Sequence, residues 1–213
     1  MKKSLYIDLD GVILNVLERN YQVYKDILEE QNKKILSKKD YIKLKRKKIH
    51  IKEILKKTEA EDIIINFKKK WEKEIESPFY LKLDEIPYLR KKTLLSLKFN
   101  YKIILITLRH YPKRLFEQLK NKKIDKIFDK VLTTSGRNSK IKWKLKYNLI
   151  KNYGVFDKNS IVIGDTETDI LTGKHLRMKT VAVTGGMRSS KILKEYKPDI
   201  IIKDFVDFKK CNF

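Results

Sequence analysis

The chain has 213 residues, enough for one α/β domain with an inserted module and a real hydrophobic core. Its one cysteine, Cys211, excludes a disulfide framework and fits a reducing compartment, and no run approaches the ~20 apolar residues of a membrane span. A formal charge of +24 ordinarily points to nucleic acid or an anionic surface, yet only eight of the 51 basic residues are arginine and the lysines spread from end to end. That spread reads as much as a codon-composition bias as a binding face. Nucleic acid is therefore a disfavoured partner that stays open, and attraction of small anions is expected either way. Met1-Lys2-Lys3 before apolar residues has the look of a signal peptide, but Asp8 and Asp10 would sit inside its apolar region. The expectation is a cytoplasmic protein with no membrane partner.

The first element is Leu5-Tyr6-Ile7-Asp8-Leu9-Asp10-Gly11-Val12, an apolar run ending in two carboxylates and a glycine. In a strand, residues i and i+2 share a face, so Asp8 and Asp10 are expected to project to one side of its end. Two anions so close call for something positive between them, a metal or a phosphoryl group. The simpler reading is a strand closing in an Asp-Gly turn.

From Val16 onward the pattern turns helical, with Val16, Leu17, Tyr21, Tyr24, Ile27 and Leu28 on one stripe. Ser37-Lys38-Lys39-Asp40 reads as a second helix start, leading to Tyr41, Leu44, Ile51, Ile54 and Leu55. Thr58-Glu59-Ala60-Glu61 reads as a capping box for a helix carrying Ile63, Ile64, Phe67, Trp71 and Ile75, which Ser77-Pro78 ends. The aromatic stripe is expected to be helical-bundle core, and His50 a surface residue. Residues 16–84 thus hold helices and no strand.

Pro87 suits the first turn of a helix with Leu89, Leu94, Leu95 and Leu97, and a strand follows over 102–107. Thr107 closes that strand, with Leu108, Arg109 and His110 at the same edge, where Arg109 and His110 are candidate substrate contacts. A helix over 112–119 and a short strand over 130–133 lead to the polar loop 134–139. Lysines at 140, 142, 144 and 146 then alternate with Ile141, Trp143 and Leu145, and a helix is expected from about residue 142.

Ser160-Ile161-Val162-Ile163-Gly164-Asp165 repeats the grammar of apolar run then acid, and Thr166-Glu167-Thr168-Asp169 follows. Thr166-x-x-Asp169 also reads as a helix cap, which would order the loop that carries Asp165. Carboxylates from two parallel strand ends can meet at the carboxyl edge of a sheet, and the set Asp8, Asp10, Asp165 and Asp169 suits Mg²⁺. His175 is expected on a helix face. Strands over 180–183 and 198–202 complete an alternating order that predicts a parallel sheet buried on both faces.

Asp8-Leu9-Asp10-Gly11-Val12, Thr107 after Ile103-Ile104-Leu105-Ile106, and Gly164-Asp165-Thr166-x-x-Asp169 together resemble the haloacid dehalogenase superfamily, in its phosphatase branch, over roughly residues 4–205. The resemblance implies an α/β, Rossmann-like parallel sheet with helices on both faces and an inserted all-helical cap. The core would comprise 1–15 and 85–213, and the cap 16–84. It implies Asp8 as the nucleophile that forms an aspartyl-phosphate and Asp10 as general acid and base. Mg²⁺ would sit on Asp8, the backbone carbonyl of Asp10 and Asp165, with Asp169 positioning a coordinated water. Thr107 and the N–H of Leu108 would bind the phosphoryl group, helped by one lysine. Lys146 fits the family pattern best, with Lys144 close behind. Leu176-Arg177 stands where relatives often carry Ala-Gly, a minor departure. The expected activity is Mg²⁺-dependent hydrolysis of a small phosphate monoester. Phosphoryl transfer by a mutase with the same residues, or a basic nucleic-acid-binding protein on this scaffold, are the alternatives. Phosphoglycolate, a sugar phosphate and a nucleotide stay open as substrates.

Overall fold

The computed structural model describes residues 2–134 and 141–211. Lys140 and most of the polar loop before it lie outside the described residues. Six strands form one parallel sheet: β1 (Lys3–Ile7), β2 (Tyr101–Ile106), β3 (Lys130–Leu132), β4 (Ile161–Gly164), β5 (Lys179–Val183) and β6 (Ile200–Ile202), in the spatial order β3-β2-β1-β4-β5-β6. The strands are nearly all apolar because both faces are covered, as the sequence pattern predicts. The α/β, Rossmann-like fold is thus observed.

Side chains alternate across the sheet. Leu5, Ile7, Ile103, Leu105, Ile161 and Ile163 face α6 (Tyr88–Leu97), α7 (Pro112–Asn121) and the C-terminal 3₁₀ turn Phe205–Lys210. Tyr6, Ile104, Ile106 and Val162 face the other way, onto α8 (Lys142–Tyr153) and the chain that follows α9 (Glu167–His175), while Ala182 packs with Ile170 of α9 and Leu193 of α10 (Ser190–Glu195). Asp8 has the parity of Tyr6. Its side chain therefore leaves the sheet toward α8 and α9.

Between β1 and α6 the described chain is helical: α1 (Leu17–Glu29), α2 (Lys38–Arg46), α3 (Ile51–Lys56), α4 (Ile64–Glu74) and α5 (Pro78–Leu81). These helices share a separate apolar cluster of Val23, Tyr24, Tyr41, Ile54, Leu55 and Phe67. Tyr24 stacks on Tyr41 at 4.3 Å, and Phe67 on Trp71 at 5.7 Å. The stretches entering and leaving this segment run side by side, the N–H of Asn15 donating to Glu85 at 2.7 Å and that of Glu85 returning to Asn15 at 3.2 Å.

Two local expectations fail. Thr58 does not cap a helix: its buried hydroxyl donates back to the Leu55 carbonyl at 3.0 Å, closing α3, and α4 starts after a 3₁₀ turn with no side-chain cap. Glu59 takes a φ of +52°, which breaks the backbone geometry that a capping box needs. In α6, Leu94 and Leu97 are buried while Leu89 and Leu95 are exposed, so half of that leucine stripe faces out.

Candidate active site

β1 and β4 are neighbours, so their carboxyl ends bring residues 8 and 165 together although 157 positions separate them in the chain. The N–H of Asp8 donates to the Ile163 carbonyl at 3.0 Å, carrying the ladder one residue past β1. Oxygens of Asp8, Asp165 and Asp169 all lie within 4.8 Å of one another, and all three residues are buried. Asp165 and Asp169 come from one motif, and the cap at the start of α9 fixes Asp169. The Thr166 hydroxyl donates to Asp169 Oδ2 at 2.8 Å, and the Thr166 N–H donates to the same oxygen at 3.2 Å. The capping reading and the functional reading of Thr166-x-x-Asp169 coexist.

Lys146 lies inside this cluster. Its Nζ donates to Asp8 Oδ1 at 2.8 Å and to Asp169 Oδ1 at 2.5 Å. Burial works against its charge, but Asp169 and then Asp8 outweigh that and push the ammonium pKa up. The candidate Lys144 is corrected: two residues along α8 is more than half a turn, so it is exposed, its Nζ 5.9 Å from the Trp143 ring centroid. Lys142 is also exposed, one turn before Lys146, and Trp143 stacks on His175 at 4.0 Å.

One cation among three acids leaves negative charge in excess. Burial, together with the neighbouring Asp169, raises the Asp8 pKa to about 7 although Lys146 opposes the shift. Burial and then Asp8 and Asp169 push Asp165 well above the usual carboxylate range. Asp165 Oδ2 accepts from the Met187 N–H at 2.6 Å, while its Oδ1 is buried without a hydrogen-bond partner. A hard divalent cation with oxygen ligands matches this donor set, so the residues fit Mg²⁺. Glycine is needed around Asp165: a Cβ on Gly11 would lie 1.9 Å from Asp165 Oδ2 and one on Gly186 would lie 2.1 Å away. Gly11 also has φ +83°, a conformation that other residues adopt only under strain.

The carboxylate of Asp10 does not join the group, against the expectation from i, i+2 spacing. β1 ends at Ile7 and the chain turns, with the N–H of Leu14 donating to Leu9 at 2.9 Å, so the strand rule no longer applies. Its side chain meets two arginines instead. Arg109 donates to both oxygens, at 2.6 and 2.9 Å, and Arg19 Nη2 donates to Oδ2 at 2.8 Å. Burial opposes ionisation, yet Arg109 and Arg19 hold the Asp10 carboxyl well below its ordinary pKa. Both arginines also pair with Asp84, fully buried where the helical segment returns to the sheet, at 3.1 Å for Arg19 and 3.3 Å for Arg109.

Thr107 is buried just past β2, its N–H bonded to the Leu132 carbonyl at 3.0 Å. Asp8, Asp10, Thr107, Leu108, Arg109 and Lys146 all line one cavity of about 340 Å³, which Arg19, Glu76, Lys142, Glu167 and Arg188 also border. This volume lies at the small end of the roughly 300–1,000 Å³ of ligand pockets. His110 lines a neighbouring cavity, not this one. Arg109, expected as a substrate contact, commits its Nε and Nη2 to Asp10 and Asp84, while its buried Nη1 has no hydrogen-bond partner.

The helices pack over this edge through specific contacts. Arg46 at the end of α2 donates to the carbonyls of Thr184 at 2.6 Å and Gly186 at 3.0 Å, and the Ser189 N–H donates back to the Arg46 carbonyl at 2.9 Å. Glu76 accepts from the N–H groups of His110 and Tyr111 at 3.0 and 3.2 Å, where α7 begins and a carboxylate is favoured. Arg19, Glu76 and Asp84 carry no local sequence signal; each resembles an ordinary surface charge until the chain is folded.

An α/β protein with acids and a buried lysine gathered at its strand ends is the class that fold and site define. The chain belongs to the haloacid dehalogenase-like hydrolase family, whose model matches residues 6–183. It is similar to a haloacid dehalogenase-like family hydrolase from Streptococcus pneumoniae, with a TM-score of 0.78 and 16% identity over 98% of this chain and 97% of that one. A predicted phosphoglycolate phosphatase from Haemophilus somnus superposes with a TM-score of 0.76 and 23% identity, covering 98% and 97% of the two chains. Among curated proteins, the pyrophosphatase PpaX of Oceanobacillus iheyensis is 29% identical over 58 residues, a match spanning 27% of this chain and 27% of that protein. Among the described residues no helix is long and apolar enough to cross a membrane.

Proposed function

We propose that this hydrolase is a phosphatase, cleaving a small phosphate monoester by way of a phosphorylated Asp8. The observation that carries the reading is the Asp8–Lys146–Asp169 contact beside Asp165, at the floor of a small cavity bordered by cations. Helices over 16–84 are proposed as a cap that shields the site from water.

Asp8, Asp165 and the backbone carbonyl of Asp10 would hold Mg²⁺, with Asp169 behind them; bound there, the ion would offset charge on the phosphoryl oxygens. Lys146 keeps the Asp8 oxygens in place and supplies positive charge where the phosphoryl group approaches. The Thr107 hydroxyl and the Leu108 N–H donate to phosphoryl oxygens. An Asp8 oxygen attacks phosphorus while the ester P–O bond breaks, and the leaving oxygen takes a proton from Asp10. Asp10 then accepts a proton from the water that attacks the aspartyl-phosphate, releasing phosphate and restoring Asp8. The arginine pair keeps Asp10 ionised, the form that accepts a proton, so before it can donate, substrate binding must loosen that pair and Asp10 must take up a proton from solvent or from the substrate's monoanionic phosphate.

The test is hydrolysis of an aryl phosphate with Mg²⁺ by the wild-type protein and by Asp8→Asn. Loss of turnover in a folded Asp8→Asn protein is the expected result, and undiminished turnover removes Asp8 as nucleophile. Passage of the phosphoryl group to a second sugar phosphate in place of water would assign a mutase.

A further inference from the structure

Helix α6 is apolar on two sides, although only one of them faces the sheet. Thr93, Leu94 and Leu97 are buried toward the core, and Arg90 ties the helix to Asp204 at 2.6 Å. The outer side carries Tyr88, Lys92, Leu95 and Phe99 at helical spacing, Phe99 in the turn that ends the helix, with Leu89 beside them. Tyr88 is 75% exposed, Leu89 58%, Leu95 48% and Phe99 80%. A helix apolar all round is the pattern of one covered on both faces, and here the second face is bare. Bulky apolar side chains gathered so closely form a patch, unlike the single exposed leucines of an ordinary surface.

Charge says what covers it. The α6 segment Tyr88–Leu97 holds no acid, and Lys92 is exposed within the stripe. Around it, Lys91 and Lys98 donate to the carbonyls of Lys122 and Lys126 at 3.0 and 2.8 Å, and Lys2 donates to that of Lys98 at 2.7 Å. A carbonyl accepts the hydrogen bond but cancels no charge, so the frame of the patch stays positive. A second copy seated here would set these lysines against their own kind, on a chain already at +24. Bases of single-stranded nucleic acid stack on exposed aromatics, but they would leave Leu89 and Leu95 in water. Leucines between two aromatic rings, with lysines alongside, instead match the boundary between acyl chains and anionic headgroups.

We propose that α6 docks this protein, peripherally and reversibly, on an anionic lipid bilayer. Tyr88, Leu89, Leu95 and Phe99 enter the headgroup–acyl boundary, while Lys92, Lys98 and Lys2 keep their ammonium groups among the lipid phosphates. No part of the chain has to cross the bilayer. Asp8 leaves the sheet on the opposite face, toward α8 and α9, so a docked molecule keeps its cavity open to solvent. The inference is independent of the chemistry assigned to that cavity.

Co-sedimentation of the full chain with vesicles tests this, using phosphatidylcholine alone or mixed with about 40% phosphatidylglycerol at about 0.1 M salt. Partitioning onto the anionic vesicles is expected to exceed that onto phosphatidylcholine by at least about tenfold. The double variant Leu95→Ser, Phe99→Ser, shown folded by circular dichroism, should lose at least about tenfold of that binding. Lys92→Glu should also lose about tenfold, whereas Lys57→Glu, the same charge change at an exposed site just past α3, should stay within about twofold. Absence of binding to anionic vesicles overturns the proposal. So does binding that survives the double serine variant, or equal losses from Lys92→Glu and Lys57→Glu, since overall charge alone would then be responsible. A dimer in sedimentation velocity that the serine variant dissociates would give the face to a second copy and likewise overturn it. If the serine variant fails to fold, the comparison of Lys92→Glu with Lys57→Glu decides.

Discussion

Lys146 reaches Asp8 at 2.8 Å across 138 positions of sequence and touches Asp169 with the same ammonium. This bridge ties α8, β1 and α9 together at the carboxyl edge of the sheet. Lys146→Met leaves two buried carboxylates without their cation. Turnover of an aryl phosphate is expected to fall by about 10²–10³-fold, the scale for losing one preorganised charge donor. Stability is expected to drop by about 3–5 kcal/mol, since one partner of a buried pair is removed. Lys144→Met should do neither. Steady-state kinetics and urea unfolding of the two variants check this.

The acid cluster gives a pH dependence of unusual sign. The Asp8 pKa is raised from 3.8 to about 7 by burial and the neighbouring acids, so folding favours its protonated form. The associated stability is fully present below about pH 4 and is lost as pH rises through 7. In EDTA the melting temperature is therefore expected to fall between pH 5 and pH 8. Mg²⁺ should reverse the loss, stabilising the fold by about 2.7 kcal/mol at a hundred times its Kd. A melting temperature that rises over this range in EDTA would contradict the electrostatic picture.

Asp84 balances two buried arginines where the helical segment rejoins the sheet. It also accepts from Gln118 Nε2 at 2.7 Å. Asp84→Ala leaves Arg19 and Arg109 sharing Asp10 alone, and is expected to cost about 3–5 kcal/mol. Asp84→Asn keeps the shape and loses the charge, so it should cost less. Chemical denaturation of both variants separates charge from packing.

Gly11 and Gly186 surround Asp165 on two sides. Gly11→Ala should cost at least about 1–2 kcal/mol from its positive φ alone. Either alanine displaces the Asp165 carboxylate, because its Cβ would occupy the space of Oδ2. Both variants are expected to weaken Mg²⁺ affinity, read from the metal-dependent rise in melting temperature. An unchanged rise would show that Asp165 is not a ligand.

The sequence by itself determined the parallel α/β sheet, because strands buried on both faces need unbroken apolar runs such as Leu5-Tyr6-Ile7 and Ile161-Val162-Ile163. It also marked Asp8, Thr107 and Asp165, since a polar residue at the end of such a run sits at the sheet's carboxyl edge wherever the strand lies, and Asp169 through the Thr166-x-x-Asp169 cap that follows. Periodicity alone left Lys146 as one of four alternating lysines; the family resemblance narrowed the choice to Lys146 ahead of Lys144, and the buried face of α8, which Lys146 shares with Ile150, decided between them. The true setting of Asp10 was out of reach, because strand periodicity stops at Ile7 and a turn re-aims the side chain. The ring of Arg19, Asp84 and Arg109 belongs to tertiary structure alone. Charges distant in sequence become partners only when packing brings their elements together, and nothing local distinguishes them from solvated lysines and acids.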